Sequence, residues 1–253
     1  MKALILSAGQ GRRLLPLTSE IPKCMLSIDG KSLLEWQVDE LERCGIDRVT
    51  VVVGYGADRV EGLLSARYRD RPIRTLYNPF FGFADNLGSC WIARSEMDGD
   101  FLLLNGDTLF EAPVVRRLLA SPERAVTVTT DRKPEYDADD MKVKLEGERL
   151  LRVGKDIPLD QVDGESIGII LFRGEGPSLF RAGVEHALRF PEAIRRWYLS
   201  VIDEMARSMP VWSCSIEGLR WTEIDYPVDL ERAGNLVRGF RSPRGHLAGA
   251  GPA

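Results

Sequence analysis

Lys2-Ala3-Leu4-Ile5-Leu6-Ser7-Ala8-Gly9-Gln10-Gly11-Arg12-Arg13, continuing to Pro22-Lys23, opens the chain, and its order governs how the rest is read. An apolar run passes into a glycine turn carrying two arginines and then into a Pro-Lys pair. Gly9 and Gly11 let the backbone reach positive φ and approach a ligand closely, so turn N–H groups can face phosphate oxygens while Arg13 and Lys23 add positive charge. The stretch predicts a strand followed by a polyphosphate-binding loop. A dinucleotide fingerprint would place a third glycine at Leu14, and a Walker loop would end in Gly-Lys-Ser/Thr; neither is present. Gly-x-Gly by itself is also an ordinary tight turn.

Outward from that loop, short runs rich in β-branched residues alternate with helical patterns. Strands are predicted at 3–6, 49–53, 73–77 and 101–104, with helices at 33–44, 60–68 and 86–96. The first helix is well marked: Ser32 and Glu35 form a capping-box pair, Leu34, Val38 and Leu41 share a face, and Gly45 supplies the stop. Pro113 opens a further helix where its missing N–H costs nothing. Beyond residue 125 the rhythm changes. Val126 and Val128 mark a strand, and Met141, Val143 and Leu145 alternate with lysines before the turn 146–148, after which Leu150, Leu151 and Val153 return as the second arm of a hairpin. A strand at 167–172, a helix at 192–207, strands at 211–215 and 222–224, and a last helix starting at Pro227 complete the reading. The expected fold class is α/β: a Rossmann-like, three-layer, mainly parallel sheet with antiparallel hairpin additions. One domain is expected over 1–240, with residues 241–253, rich in Gly, Pro and Ala, as a disordered tail.

With 253 residues, 44% of them hydrophobic, the chain can bury one large core. Its 34 basic residues are scattered among 38 acidic ones, giving a net charge of −4 and no basic stripe, which argues against nucleic acid as a partner. Cys24, Cys44, Cys90 and Cys214 stand far apart and there are only two histidines, so no zinc set is read. Reduced thiols, no membrane-spanning stretch and no signal-like apolar run together predict a cytoplasmic protein.

Several residues could carry chemistry. Asp107 follows the strand 101–104 beside Gly106, at the edge where ligands bind in open α/β sheets, and a carboxylate there suits Mg²⁺. It reads equally as a turn aspartate. Asp225 ends the run 221–225 ahead of Pro227, as a metal ligand or as a helix cap. Lys155, beside Gly154, could neutralise a second phosphate or lie in solvent. Asn86 and Ser89 could read a base or sugar edge, or cap a helix; Glu165 could be a polar ligand at a strand start. Trp36, Trp91 and Trp221 read as core. A nicotinamide-dependent oxidoreductase would require an acidic residue where Val53-Gly54-Tyr55 stands. A nucleotide-sensing module without turnover would not require both aspartates and both lysines.

The run 3–23 resembles the signature of the sugar-1-phosphate nucleotidyltransferase superfamily, and Asn105-Gly106-Asp107 and Glu223-Ile224-Asp225-Tyr226-Pro227-Val228-Asp229 resemble its two metal-aspartate motifs. Ser7 departs from the usual alanine and Arg12 from the usual threonine or serine; neither change removes a charged group. The resemblance implies a nucleotide-diphospho-sugar transferase-like fold and a Mg²⁺-dependent enzyme. In it Arg13, Lys23 and Lys155 would be catalytic, Asp107 and Asp225 would hold the metal, and Ala8, Gly9, Gly11, Arg12, Asn86, Ser89 and Gly106 would bind the nucleotide. The segments Asp137-Ala138-Asp139-Asp140-Met141-Lys142-Val143 and Gly154-Lys155-Asp156 are more like the cytidylyltransferases that act on phosphocholine, inositol phosphate or phosphonates. This implies transfer of CMP from CTP to a small phosphorylated alcohol or phosphonate. Asp137, Asp139, Asp140 and Glu165 would then face the acceptor, with Tyr136 or Trp197 as a cation–π partner for a cationic head group. Uridylyl- or thymidylyl-transfer to a sugar 1-phosphate is the alternative, and the oligomeric state, a homodimer included, stays open.

Overall fold

Strand β1 (Lys2–Ser7) lies near the middle of the central sheet, and its side chains alternate between the two faces as a pleated strand requires. The computed structural model describes residues 1–241. In chain order the next elements are a small hairpin of β2 (Ser27–Ile28) and β3 (Lys31–Ser32), then α1 (Leu33–Glu42), β4 (Arg48–Val53), α2 (Ala57–Arg67) and β5 (Ile73–Tyr77). There follow α3 (Asn86–Ile92), β6 (Phe101–Asn105), β7 (Thr108–Phe110) and α4 (Ala112–Leu119). The second half comprises β8 (Val126–Asp131), β9 (Lys142–Glu146), β10 (Arg149–Gly154), β11 (Gly164–Phe172), α5 (Gly176–Ala187), α6 (Leu199–Ser208), β12 (Val211–Ser215), β13 (Trp221–Glu223) and α7 (Pro227–Arg241).

Among the described residues the central sheet has the order β5-β4-β1-β6-β11-β8-β12-β10-β9. Strands β5, β4, β1 and β6 are parallel, as the βαβ rhythm predicts. The antiparallel part extends beyond the expected β9–β10 hairpin, because β11 runs antiparallel to both β6 and β8. Two apolar layers flank the sheet. Leu4 and Leu6 of β1 pack with Leu87, Phe180 and Ile202 from α3, α5 and α6; Ala3 and Ile5 pack with Leu34, Val60 and Val114 from α1, α2 and α4. A third cluster seats Ala233 and Val237 of α7 against Trp36 and Leu14.

The local signals account for most elements. Ser32 and Glu35 form the capping box, Gly45 at φ 77° turns the chain after α1, Pro113 lies in the first turn of α4, and Gly147 at φ 60° closes the β9–β10 hairpin. Trp36 is buried, and Trp91 and Trp221 pack partly buried against the two main clusters. The expected helix 192–207 is broken. A 3₁₀ turn at Pro191–Arg195 and an extended Arg196 precede α6, because the carbonyls of Ile194 and Arg196 accept from Asp85 and Leu87 N–H groups instead of continuing a helix. Helix α5 is missing from the sequence reading, although Phe180, Val184 and Ala187 carry its apolar spacing. Arg241 closes α7, and the rest of the expected tail lies outside the described residues. No helix among the described residues is long and apolar enough to cross a membrane, and all four cysteines are free.

Candidate active site

The loop after β1 treats its two glycines differently. Gly11 takes the left-handed conformation at φ 77°, and a Cβ there would press on Lys23 Cβ at 2.9 Å, so this glycine lets the Arg12–Leu14 turn fold back over Lys23. Gly9 does not take the positive φ expected from the sequence; a Cβ on it would meet nothing within 4 Å, so its face is open. Thr18 Oγ1 donates to Gly11 O at 2.9 Å and ties the loop.

Lys23 reaches across the molecule. Its Nζ lies 2.8 Å from Asp107 Oδ2 and 2.6 Å from Asp225 Oδ1. Burial opposes its charge, yet the two carboxylates outweigh it and hold its pKa above the ordinary lysine value. Asp107 comes from the turn after β6. Asp225 does not end a strand of the main sheet, as expected: β13 pairs antiparallel with β7 in a separate ribbon, and Ile224 N–H donates to Asp107 O at 3.1 Å, which brings the two aspartates together. Glu223 lines the same cavity as both, its carboxyl pushed up to about 8 by burial and by the charges of Asp107 and Asp225.

Two cavities meet at this point. One, of about 210 Å³, is lined by Ser7, Ala8, Gly9, Lys23, Asn78 and Ser89 among others. The other, of about 180 Å³, is lined by Arg13, Asp139, Lys155, Glu165, Trp197 and Asp225 among others. Asp85, Asn86, Asn105 and Asp107 border both. Asn86 and Ser89 already have partners: Asn86 Oδ1 accepts from Tyr198 N–H at 2.8 Å, and Ser89 Oγ accepts from Asn78 Nδ2 at 3.1 Å. The cap of α3 is Asp85, whose Oδ1 accepts from Asn86 N–H. Arg12 points into a neighbouring hollow with Gln10, Phe83 and Arg195, outside both cavities. Gly106 also lines the first cavity, and it lets β6 approach β1 closely, since a Cβ there would run into Ser7 Oγ and Leu6 O.

In the second cavity Asp139 bridges two cations, with Lys155 Nζ at 3.1 Å and Arg13 Nη1 at 3.3 Å. The hydrogen bond and charge of Lys155, then the charge of Arg13, hold its carboxyl below the usual range. Arg13 also meets Asp225 at 3.4 Å and Tyr226 Oη at 3.3 Å. The neighbouring acids do not share this position. Asp137 Oδ1 accepts the N–H groups of Asp139 and Asp140, and Asp140 pairs with Lys133 at 2.6 Å, so both shape the loop and neither lines the cavity. Glu165 does line it, held by Lys133 at 3.0 Å. Lys155 Nζ sits 4.1 Å over the Trp197 ring and Lys133 Nζ 5.6 Å over Tyr136, so each ring expected to receive a cationic head group faces a lysine of this chain.

The family profile of the MobA-like NTP transferase domain matches residues 3–204, which include β1, its loop, Lys23, Asp107 and Lys155. The chain belongs to the MobA-like NTP transferase domain family. This family member is 33% identical over 130 residues to a CMP-5′-(3-aminopropyl)phosphonate synthase of Streptomyces rubellomurinus, covering 51% of the chain and 21% of that protein. It is 28% identical over 246 residues to a UTP–glucose-1-phosphate uridylyltransferase of Haloferax volcanii, covering 92% of the chain and 95% of that protein. Among solved structures, the inositol-1-phosphate CTP transferase from T. maritima superposes with a TM-score of 0.80 at 21% identity, over 95% of this chain and 96% of the other, which shows the shared fold. The chain spans about half the length, or less, of the first curated relatives it matches.

The acidic pair of this MobA-like NTP transferase fits a divalent cation. Asp107 Oδ1 is buried without a hydrogen-bond partner, and Asp107 and Asp225 converge on one ammonium. Among the described residues no group of three or more His, Cys, Asp or Glu is arranged to hold a metal, so the remaining ligands would be phosphate and water oxygens, the usual coordination of Mg²⁺. Sequence reading missed Glu223, Asn105 and Asp85, which line the cavities. The first two lie inside the quoted aspartate motifs; what was missing was the direction each side chain takes.

Proposed function

We propose that this chain transfers CMP from CTP to an anionic oxygen of a small phosphorylated alcohol or phosphonate, releasing pyrophosphate. The observation that carries the reading is the Lys23 ammonium gathering Asp107 and Asp225 at the junction of two cavities, one beside the glycine loop and one beside Lys155 and Arg13. The nucleotide would lie along Ala8, Gly9 and Ser89, and the acceptor phosphate against Lys155. Asp107 and Asp225 would hold Mg²⁺, which when bound supplies positive charge at the α-phosphate. The acceptor oxygen is already anionic, so no general base is required. Its lone pair forms the new P–O bond in line, the bond from the α-phosphorus to the bridging oxygen breaks, and pyrophosphate leaves with that electron pair. The obstacle is mutual repulsion of two polyanions. Arg13, Lys23 and Lys155 offset it by fixed positive charge, as positioning and electrostatics do in phosphoryl transfer generally. Preference for CTP is supported by the resemblance of 137–143 and 154–156 to cytidylyltransferases and by the CMP-phosphonate product in the name of one relative. Four free thiols suit a reducing cytoplasm.

A pyrophosphate-release screen with MgCl₂, crossing CTP, UTP, ATP, GTP and dTTP with phosphocholine, inositol phosphate, 2-aminoethylphosphonate and hexose 1-phosphates, tests this. The expected signal is CTP with a small phospho- or phosphonoalkyl acceptor. UTP with a hexose 1-phosphate would establish the other specificity, that in the name of the Haloferax relative. Asp107→Ala and Asp225→Ala should each lower turnover by about a thousandfold. Near-normal turnover of either variant at saturating MgCl₂ refutes the metal assignment.

A further inference from the structure

We propose that Lys23 keeps the place of the divalent cation between Asp107 and Asp225, and yields it only when nucleotide phosphates take up the lysine's charge; this rests on the nucleotidyl-transfer reading. The side chain is anchored near this point. Lys23 opens the 3₁₀ turn Lys23–Met25, and its stem lies under Gly11, where a Cβ would press on Lys23 Cβ, Cγ and Cδ. The glycine loop thus confines the base of a flexible stem, and the ammonium turns about the last bonds. Lys23 lines the first cavity and not the second, Asp225 lines the second and not the first, and Asp107 lines both, so the ammonium stands where the two cavities meet.

The carboxylate oxygens decide what the lysine blocks. Asp225 Oδ2 is engaged by Arg13 at 3.4 Å, so a cation gripped by both carboxylates must use Asp225 Oδ1, which Lys23 holds at 2.6 Å. On Asp107 such a cation meets Oδ2, which Lys23 holds at 2.8 Å, or the buried and unpartnered Oδ1. Asp229 Oδ2 accepts the N–H groups of Asp225 and Tyr226 at 2.9 and 2.8 Å, which fixes the backbone that presents Asp225. Mg²⁺ binds oxygen at about 2.1 Å, so at Asp225 Oδ1 it would lie within about 5 Å of Nζ. The lysine side chain is only 13% exposed, so two cations this close repel with little screening, and an ammonium pushed off the carboxylates would be left buried without a counter-charge. A nucleotide changes the balance. Its phosphates, lying on the glycine loop beside the lysine's stem, offer the ammonium new anionic partners as the metal enters with them. The ammonium exchanges carboxylate for phosphate oxygens and keeps its protons; no covalent bond forms or breaks. Metal and nucleotide uptake are thereby coupled, and each raises the affinity of the other by the same factor.

The test measures Mn²⁺ binding, by loss of the free-ion EPR signal, to wild type, Lys23→Met, Lys23→Gln and Lys23→Met combined with Asp107→Asn, all without nucleotide. It also follows the Lys23 Nζ–H signal in ¹⁵N-lysine-labelled wild type, assigned by its loss in either Lys23 variant. Lys23→Met and Lys23→Gln should each bind one Mn²⁺ at least about tenfold more tightly than wild type, within the usual range of coupling between sites, and adding Asp107→Asn should remove that gain. The lysine signal should stay in place with millimolar MgCl₂ alone and shift when α,β-methylene-CTP and MgCl₂ are present together. Folded Lys23 variants that bind Mn²⁺ no more tightly than wild type overturn the proposal, as does a lysine signal that moves as far with MgCl₂ alone as with both ligands. In either case, pyrophosphate release by wild type from CTP leaves the transfer reading standing. A wild type that releases no pyrophosphate in any pairing overturns the transfer reading and the proposal with it.

Discussion

Lys23 Nζ bridges Asp107 Oδ2 at 2.8 Å and Asp225 Oδ1 at 2.6 Å, a single ammonium shared by carboxylates that flank one end of the β7–β13 ribbon. The two carboxyl side chains are just over a quarter exposed, at 28% and 27%, so their repulsion is only partly screened by water. Lys23→Met removes the shared cation and should lower stability by about 1–3 kcal/mol. Millimolar MgCl₂ should then raise the melting temperature of the variant more than that of wild type, because a divalent cation compensates the bare carboxylates. An equal response in both proteins counts against a metal at this pair.

Lys155 has its competitor built in. Asp139 holds it at 3.1 Å and is itself more than half exposed, so an incoming phosphate can take its place. Lys155→Ala should raise the acceptor KM by about tenfold to a hundredfold and leave the nucleotide KM unchanged. Steady-state kinetics varying each substrate separately checks this; an unchanged acceptor KM and turnover removes Lys155 from the acceptor site.

Gly106 tests the close approach of β6 to β1. Its N–H donates to Leu6 O at 3.0 Å, and a Cβ would strike Leu6 O and Ser7 Oγ. Gly106→Ala should cost about 1–3 kcal/mol in urea unfolding, the range for overpacking a tight interior. A stability equal to wild type would mean that the two strand ends are not this close.

The four thiols should separate by burial. Cys24 and Cys90 are buried, and burial pushes Cys24 up to about 12 and raises Cys90 as well. Cys44 and Cys214 are partly exposed and raised less completely, with Arg116 and Arg117 pulling them back. Since the thiolate is the nucleophile, iodoacetamide at mildly alkaline pH should label Cys44 and Cys214 slowly, faster as pH rises, and spare the other two until the chain unfolds. The linked effect on stability has a definite sign. The folded state keeps the Cys24 proton, whereas the unfolded thiol loses it near about 8.5, so this contribution is complete below that pH and falls as pH climbs toward about 12. Mass mapping of alkylated sites reads the first effect and denaturant titration at several pH values reads the second.

Much of the scaffold was legible because its signals are local. The Ser32–Glu35 capping box spans four residues, the Gly147 turn joins adjacent strands, and the alternation in β1 directs Leu4 and Ile5 to opposite layers. The break at Arg196 was not legible, because it depends on carbonyls captured by Asp85 and Leu87, more than a hundred positions away. The acidic run 137–140 shows the same limit within a few residues. All three aspartates look alike in sequence, but backbone N–H groups engage Asp137, Lys133 engages Asp140, and Asp139 reaches the cavity.

The sequence by itself determined the α/β rhythm, the glycine-arginine loop after the first strand, and the two aspartate motifs, since each rests on propensities and hydrogen bonds among near neighbours. Only the tertiary structure decided that Lys23 meets partners 84 and 202 positions along the chain, that Asp225 arrives on the β7–β13 ribbon and not on the main sheet, and that Gly168 clears space for Asn105. Those relationships follow from strand order and register, which are fixed by burying both faces of the sheet at once and leave no trace in any short window of residues.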